Sequence, residues 1–264
     1  VSLREIERVV ITHCHPDHCG LAAFIRETAG AEIFVNSLEA GHLTGERDYF
    51  REILPSLVES GVPQDILQDV ARDVKTGEHR KVAREEILPL TGEEVLSFKD
   101  GELIVQNFPG HSQGHICLYD PGAKNFFSGD FLLPHITSNP LMEICKETGK
   151  RLPAKKVYLE RLAHVLKMDI AEVWPGHGEN VTNWQETVNN IFRHHLQRNE
   201  AVYSLLNEKG RTAYEIAVTM FPQIRGADVV LGVSEVLASL DILLEEGRVS
   251  TEEGNEVIMY YKAG

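Results

Sequence analysis

A short histidine-rich loop, HCHPDHCG at residues 13–20, lies between two elements that the sequence pattern predicts clearly. The β-branched and apolar run RVVIT at 8–12 indicates a buried strand. The apolar spacing of LAAFIRETAG at 21–30 indicates a helix that stops at Gly30. A loop at the end of a strand is where a rigid sheet commonly presents functional side chains. The segment therefore favours a fold of mixed strands and helices, with a site at the strand ends.

The donor groups of this loop have the spacing of metal ligands. His13 and His15 alternate along an extended segment, so both side chains can point the same way and share one ion. Asp17 and His18 come after the turn at Pro16 and can face a second ion. Imidazole nitrogens and carboxylate oxygens suit zinc, iron or manganese. The spacing therefore predicts a site for divalent metal.

Three further donors occupy similar positions along the chain. His111 in FPGHSQGH, Asp130 in FFSGD and His177 in WPGHGE each follow an apolar strand and have a glycine next to them. Glycine lets the backbone approach a ligand closely. These three residues join the loop donors as candidate metal ligands.

Other polar groups near these motifs are candidates for orienting the ligands. A group that hydrogen bonds to the second ring nitrogen of a ligand histidine fixes the orientation of the ring. The hydroxyls of Thr12 and Ser128 are candidates for this role. We expect His115, four residues after His111, to brace its loop rather than to bind metal.

Strands and helices are mixed along the rest of the chain, which indicates the α/β (α+β) class. A helical insertion is predicted at about 37–90, and another helix at 153–168. Further predicted strands are 31–36, 94–98, 101–108, 116–120, 125–130 and 171–179.

The acidic balance and the sparse cysteines exclude several classes of protein. A formal net charge of −14 repels nucleic acid and anionic membranes at long range. The sequence contains no apolar run of about 18 residues, so no transmembrane helix is predicted. The segment VSLREIERVV at the N-terminus is too charged for a signal peptide. Four cysteines are too few for a disulfide framework in 264 residues, which favours reduced thiols and a cytoplasmic location.

The motifs THCHPDHCG, PGHSQGH, FSGD and PGHGE, in this order over about residues 8–179, resemble the successive metal motifs of the metallo-β-lactamase superfamily of dinuclear metal hydrolases. The resemblance implies an αββα sandwich, in which two sheets pack between helices. It also implies two divalent ions, with zinc as the leading candidate and iron or manganese as alternatives. The implied ligands are His13, His15 and His111 for the first ion, Asp17, His18 and His177 for the second, and Asp130 as a bridge.

The resemblance also narrows the reaction. A carboxylate at Asp130 is typical of glyoxalase II-like, lactonase-like and nuclease-like members, and the true β-lactamases typically lack it. Histidine rather than glutamate at His15 argues against the oxygen-reducing diiron members. We therefore expect a hydroxide activated by both ions to hydrolyse a small ester, thioester or lactone, with Asp17 and Asp130 as catalytic carboxylates.

The predicted domains are a metal hydrolase domain at 1–188 and a second domain at 189–264. Members of the family usually have several strands before the first metal loop, whereas almost nothing precedes it here. We therefore expect that N-terminal strands are missing, either because the sequence begins partway through a longer protein or because the first sheet is incomplete. Helices and a final hairpin in 189–264 resemble a winged helix and the C-terminal module of the β-lactamase-like protein 2 group.

The charge of this C-terminal segment argues against nucleic-acid binding by a winged helix. Residues 191–264 contain seven basic and eleven acidic residues, and the predicted third helix SEVLASLDILLEEG contains no basic residue. We expect the segment to pack, to support a lid or to mediate a homodimer.

Two alternative functions stay open at this level. Some members of the β-lactamase-like protein 2 group are single-strand endoribonucleases, and a basic cluster between Lys146 and Arg161 could guide RNA to the ions. Nucleic acid is a partner only under this alternative; the expected partner is otherwise a small-molecule substrate. The other alternative is a catalytically silent metal-binding protein, which the complete set of seven ligands disfavours.

Three side chains outside the ligand set are candidate substrate contacts. His135 lies in GDFLLPHITSNP, a loop that follows Asp130 and could overhang the site. His194 and Arg198 are spaced i, i+4 on a predicted helix, so both face one side of it. A solvated helix face is the simpler interpretation of that pair.

Overall fold

Two β-sheets carry the metal motifs of the sequence. The structure, a computed structural model, describes residues 2–76, 80–145, 148–254 and 256–263. The first sheet is parallel and contains β1 (Arg8–Ile11), β2 (Glu32–Asn36) and β3 (Ile87–Leu90) in that order. The second sheet has the order β4 (Val95–Phe98), β5 (Gly101–Asn107), β6 (Ile116–Asp120), β7 (Asn125–Gly129) and β8 (Glu172–Pro175). Its neighbours are antiparallel except for the parallel pair β7–β8.

The helices of the described residues complete the architecture, and a hairpin of two short strands, β9 (Val249–Glu253) and β10 (Ile258–Lys262), follows them. The helices are α1 (Pro16–Cys19), α2 (Ala22–Ala29), α3 (Ala40–Thr44), α4 (Tyr49–Glu59), α5 (Gln64–Thr76), α6 (Ala154–Val165), α7 (Trp184–Leu205), α8 (Ala213–Met220) and α9 (Asp228–Glu245). In the part of the chain that the structure describes, none of them combines the length and apolar character needed to cross a bilayer.

The contacts divide the chain into two units. Unit 1 comprises Val1–Asp48, Glu78–Ser138 and Glu160–Asn189, and unit 2 comprises Tyr49–Gly77, Asn139–Leu159 and Asn190–Gly264. Both sheets lie in unit 1, and the hairpin lies in unit 2. The boundary between 188 and 189 drawn from the sequence stays a prediction.

Unit 1 is layered as helix, sheet, sheet, helix. Between the sheets, Leu90 of the first packs with Val105 and Ile116 of the second. Helices α1 to α3 cover the other face of the first sheet through an apolar cluster that contains Ile33 and Val35. On the outer face of the second sheet, Phe108 lies between Phe126 and His164 of α6, with ring centroids 5.3 and 6.1 Å away. This is the αββα sandwich that the resemblance implied.

The predicted helical insertion at 37–90 is correct for α3, α4 and α5 but wrong at its end. Ile87–Leu90 forms β3, which pairs in parallel with β2. The pattern ILPL is too short to show a period, and Pro89 argues against a strand. It is tolerated because β3 lies at the edge of the sheet and pairs on one side only.

Unit 2 has a core of its own. Leu57 and Val70 of the insertion pack in one cluster with Val202, Leu240 and other residues of the C-terminal segment. A capping box begins α8, because Thr212 and Glu215 each accept a hydrogen bond from the other's backbone N–H. The winged-helix assignment stays a prediction, and Asn255, between β9 and β10 in the chain, lies outside the described residues.

Candidate metal centre

All seven predicted ligands lie in unit 1, at or just after the ends of strands. The loop after β1 holds His13 and His15, and the short helix α1 holds Asp17 and His18. The remaining three follow β5, β7 and β8 and are His111, Asp130 and His177. Because the two sheets pack face to face, these strand ends converge and the seven side chains meet.

The first group consists of His13, His15 and His111. One ring nitrogen from each lies within 4.8 Å of the others. The closest pair is His111 Nε2 and His15 Nδ1, which are 3.0 Å apart. His13 is fully buried, so this group forms the inner part of the site.

The second group consists of Asp17, His18 and His177. His177 Nε2 lies 3.1 Å from both His18 Nε2 and Asp17 Oδ2. The side chains of Asp17 and His177 are 58% and 49% exposed, whereas that of His18 is 12% exposed. This group therefore forms the outer part of the site, which is open to solvent.

Asp130 lies between the two groups. Its Oδ1 is 3.2 Å from His18 Nε2, and its Oδ2 is 3.6 Å from His177 Nε2 and 3.8 Å from His111 Nε2. Each carboxylate oxygen thus faces ligand nitrogens, and the nitrogens belong to both groups. This position is the one that a bridging ligand would occupy.

The residues present fit two divalent ions. Among the described residues, His13 Nε2 is buried and has no hydrogen-bond partner, a state that costs free energy unless another group satisfies it. Five imidazoles and two carboxylates are the donor set that zinc, iron and manganese accept. An ion in the first group would satisfy His13 Nε2.

The electrostatics favour the ligand forms of His13, His15 and Asp130. Burial alone would lower the pKa of His18, but the contact with Asp130 outweighs it, so the pKa of His18 is raised. Burial, and then the neighbouring histidines, hold the pKa of His13 far below its ordinary value, and burial also lowers the pKa of His15. Burial alone would raise the pKa of Asp130, but the hydrogen bond and charge of His18 outweigh it, so the pKa of this carboxyl is lowered. Neutral imidazoles and an ionised carboxylate are the states that bind metal.

Neighbouring polar groups orient the ligands. Thr12 Oγ1 lies 3.1 Å from His13 Nδ1, as expected. The expectation for Ser128 is wrong, because its hydroxyl donates to the Leu132 carbonyl instead. His115 braces its loop as expected: it is fully buried, and its Nε2 accepts a hydrogen bond from the Asp130 backbone N–H at 3.2 Å.

Ser138 orients a ligand that no sequence pattern had linked to it. Its hydroxyl oxygen lies 2.9 Å from His111 Nδ1, and both residues are buried. The contact holds the ring so that Nε2 points toward His15. Ser138 stands in an irregular loop 27 residues after His111, and this distance along the chain hid the relation.

We expect Ser138→Ala to weaken binding of the ion in the first group by about 10- to 100-fold, because loss of a group that orients a ligand histidine typically has an effect of this size. Zinc affinity measured by competition with a chelating indicator checks it. Ser97→Ala, in exposed strand β4, is the matched control and should leave the affinity unchanged. Equal affinities in the two variants would contradict the role of Ser138.

Glu39 is the second residue that sequence reasoning missed. It is 4% exposed and accepts three hydrogen bonds, from the Cys14 backbone N–H at 3.0 Å, the Ser112 hydroxyl at 2.8 Å and the Gly114 backbone N–H at 2.9 Å. These donors belong to the loop of His13 and His15 and to the loop of His111. One buried carboxylate thus ties the two loops of the first group together.

Glu39 stands three residues after β2, in the segment interpreted as a helical insertion. The signal that could have found it is the same one that found the ligands, a charged side chain just after an apolar strand. Gly114 leaves the space that the Glu39 side chain occupies, because a Cβ at position 114 would lie 2.6 Å from Glu39 Cγ.

Gly176 shows why glycine precedes His177. A Cβ at this position would lie 2.5 Å from Asp130 Oδ1 and 2.8 Å from His18 Cε1. Any larger residue would push β8 away from the site.

The predicted substrate contacts lie in different units. His135 is exposed in unit 1, beside the loop of His177, where a Cβ on Gly178 would be 4.0 Å from its ring. His194 and Arg198 both lie on α7 in unit 2.

The αββα layers and the seven converging donors define a metal-dependent hydrolase. The chain belongs to the metallo-beta-lactamase superfamily, whose family model matches residues 1–192. It is 31% identical over 285 residues to a Bacillus subtilis (strain 168) protein named "Probable metallo-hydrolase YqjP", and the match covers 99% of this chain and 82% of that protein.

Other similar proteins extend the comparison. Human "Acyl-coenzyme A thioesterase MBLAC2" is 32% identical over 122 residues, which is 46% of this chain and 39% of that protein. A metallo-beta-lactamase family protein of Thermus thermophilus, TTHA1429, superposes with a TM-score of 0.82 at 24% identity over 99% of this chain and 81% of that one. A beta-lactamase domain protein of Burkholderia ambifaria gives a TM-score of 0.76 at 25% identity over 97% of this chain and 75% of that one.

Proposed function

We propose that this protein is a dinuclear metal-dependent hydrolase that cleaves a small ester, thioester or lactone. The observation that carries the proposal is the position of Asp130, whose carboxylate faces nitrogens of both three-ligand groups. Two divalent ions in these groups, when bound, would lower the pKa of a water and polarise the oxygen of the scissile bond. Zinc is the leading candidate for both ions, with iron or manganese as alternatives.

The inner and outer groups of ligands have different proposed roles. His13, held by Thr12, and His111, held by Ser138, give the inner group a fixed geometry. The half-exposed Asp17 and His177 line the side from which a substrate enters.

Asp17 is the proposed proton acceptor. Its Oδ2 faces His177 Nε2 at 3.1 Å, which leaves Oδ1 to take the proton of the attacking water. Exposure of this carboxylate also lets the proton pass on to solvent. His135, beside the loop of His177, is the proposed contact for the part of the substrate that extends out of the site.

An acyl substrate is supported by a partial match to relatives. A bridging carboxylate at Asp130 does not distinguish an acyl substrate from RNA, because the resemblance connects it with glyoxalase II-like, lactonase-like and nuclease-like members alike. The partial match to proteins named acyl-coenzyme A thioesterases makes a thioester the first substrate to test.

RNA as a substrate receives little support from the basic cluster between Lys146 and Arg161. Lys155 is 1% exposed and donates to Asn199 and Ser239. Arg151 forms two hydrogen bonds with Asp241, and Lys156 pairs with Glu245. Lys146 lies outside the described residues. Three cations of the cluster are therefore buried or paired, whereas Lys150 and Arg161 are exposed.

The test is turnover by the metal-loaded protein on four substrates: an acyl-coenzyme A thioester, an aryl ester, a γ-lactone and a single-stranded RNA oligonucleotide. We expect chelator-sensitive hydrolysis of at least one of the first three and intact RNA. Chelator-sensitive RNA cleavage would overturn the acyl assignment. No turnover of any substrate by protein shown to hold two ions would favour a silent metal-binding protein.

Removal of metal should also destabilise unit 1. When the free metal concentration is 100 times the Kd of a site, binding at that site adds about 2.7 kcal/mol to the free energy of unfolding. A change of about 1 kcal/mol in this free energy shifts Tm by about 2–4 °C in a chain of this size. We therefore expect a chelator to lower Tm by about 5–10 °C, with recovery on adding zinc. An unchanged Tm in calorimetry, despite measured loss of metal, would contradict a structural contribution of the ions.

A further inference from the structure

Unit 2 contains a buried group of charged and polar side chains that the proposed hydrolysis does not use. It lies where α6, α7 and α9 pack together. Its members are Lys155, His194, His195, Arg198, Asn199, Glu235 and Ser239.

Positive charge exceeds negative charge in this group. Lys155 is 1% exposed, and its Nζ donates to two neutral acceptors, Asn199 Oδ1 at 2.8 Å and Ser239 Oγ at 2.9 Å. The one carboxylate, Glu235, is shared: its Oε1 lies 3.4 Å from Arg198 Nε and 3.9 Å from Lys155 Nζ. Two cations therefore face one anion, and a buried uncompensated charge is costly.

Asp241 does not supply the missing negative charge. It forms two hydrogen bonds with Arg151 and is neutralised by it.

Arg198 is held in place but hydrogen bonded to nothing in the described part of the chain. Its guanidinium stacks over the Phe221 ring at 4.9 Å, and Nε lies just outside hydrogen-bonding geometry to Glu235. Its side chain is 24% exposed, so solvent reaches it. A fixed guanidinium with unused donors is suited to bind a carboxylate or a phosphate with two parallel hydrogen bonds.

Two histidines adjoin Arg198. His194 lies one turn earlier on α7 and is partly buried. His195 is 1% exposed, and neither of its ring nitrogens has a hydrogen-bond partner among the described residues. Burial first, and then the charge of Lys155, lowers the pKa of His195 to about 3, and burial lowers the pKa of Lys155 to about 8. For Lys155, the charge of Glu235 opposes this shift and that of Arg198 adds to it.

We propose that Arg198 and His194 form an oxyanion-binding site in unit 2, backed by Lys155, for a carboxylate or phosphate group of a small molecule. The bound anion would take the donors of Arg198 and one ring N–H of His194. It would also compensate the charge that Glu235 leaves unbalanced. The site stands independently of the proposed hydrolysis, because it rests on contacts within unit 2.

Anion binding can be measured without turnover. The full chain is titrated with sodium phosphate and with sodium acetate by calorimetry at constant ionic strength, with sodium chloride as the reference. The titrations are repeated after chelation, so that anions held by the metal centre do not contribute. We expect a saturable heat with phosphate or acetate both before and after chelation. The anion whose titration saturates identifies the class of group that the site binds.

Arg198→Met should weaken this binding at least tenfold. Arg193→Met is the matched control on the same helix, because Arg193 is exposed and its side chain donates to Asn190. His194→Gln, which keeps a donor, should weaken binding less than Arg198→Met. If neither anion binds the chelated protein, or if Arg198→Met binds as the control does, the proposal is overturned and the group is a structural polar network.

Discussion

Asp130→Asn is expected to lower kcat/KM by about 100-fold or more and to reduce the bound metal from two ions toward one. Loss of a residue that merely orients a ligand already has an effect of about 10- to 100-fold, and Asp130 itself faces both ligand groups. Asparagine keeps the shape but removes the negative charge that two cations would share. Metal content by mass spectrometry and turnover on the active substrate measure the two effects.

The matched control for this variant is Asp100→Asn. This control makes the same Asp-to-Asn change at an exposed position, in the turn between β4 and β5 of the same sheet. Circular dichroism should show that both variants keep the fold. Two retained ions and wild-type turnover in Asp130→Asn would refute a bridged dinuclear site.

Glu39→Ala is expected to lower the free energy of unfolding by about 4.5 kcal/mol or more, although Glu39 is no ligand. Hydrogen bonds to a charged acceptor contribute about 1.5–3 kcal/mol each, and Glu39 accepts three of them. The change also leaves the backbone N–H groups of Cys14 and Gly114 unpaired in a buried place. Urea unfolding measures the loss.

The same variant should weaken metal binding in the first group by about 10- to 100-fold, because the two loops that carry its ligands are no longer tied together. Glu39→Gln should lose less stability than Glu39→Ala, since one amide oxygen can still accept. Glu46→Ala, which removes only an exposed ion pair with Arg84, should cost less than about 1 kcal/mol. If Glu39→Ala were as stable as this control, the three hydrogen bonds would have no net effect.

The donors of the candidate site could be predicted because their signals are local. Each ligand histidine or aspartate lies within a few residues of the end of an apolar strand and has a nearby glycine or proline. Gly176 illustrates the physical basis, since the close approach of β8 to Asp130 excludes a side chain there.

The residues that support the donors could not be predicted in the same way. Glu39 contacts Cys14 and Gly114, which are 25 and 75 residues away along the chain. Strand β3 was missed for a related reason: its pairing with β2 and its burial come from the sheet, while its own four residues show no period.

By itself, the sequence determined the seven candidate ligands, which depend on residue type, on spacing within short motifs and on their order, all of which are visible in one dimension. The class of protein and the αββα layers followed from the resemblance of these motifs to a known family. Only the tertiary structure decided which groups hold the ligands, that residues 49–77 pack in one unit with the C-terminal segment, and that Lys155 and Arg198 share a single carboxylate. Such relations arise when packing of the apolar faces of helices and sheets brings distant polar side chains into one low-dielectric place, where each must find a partner.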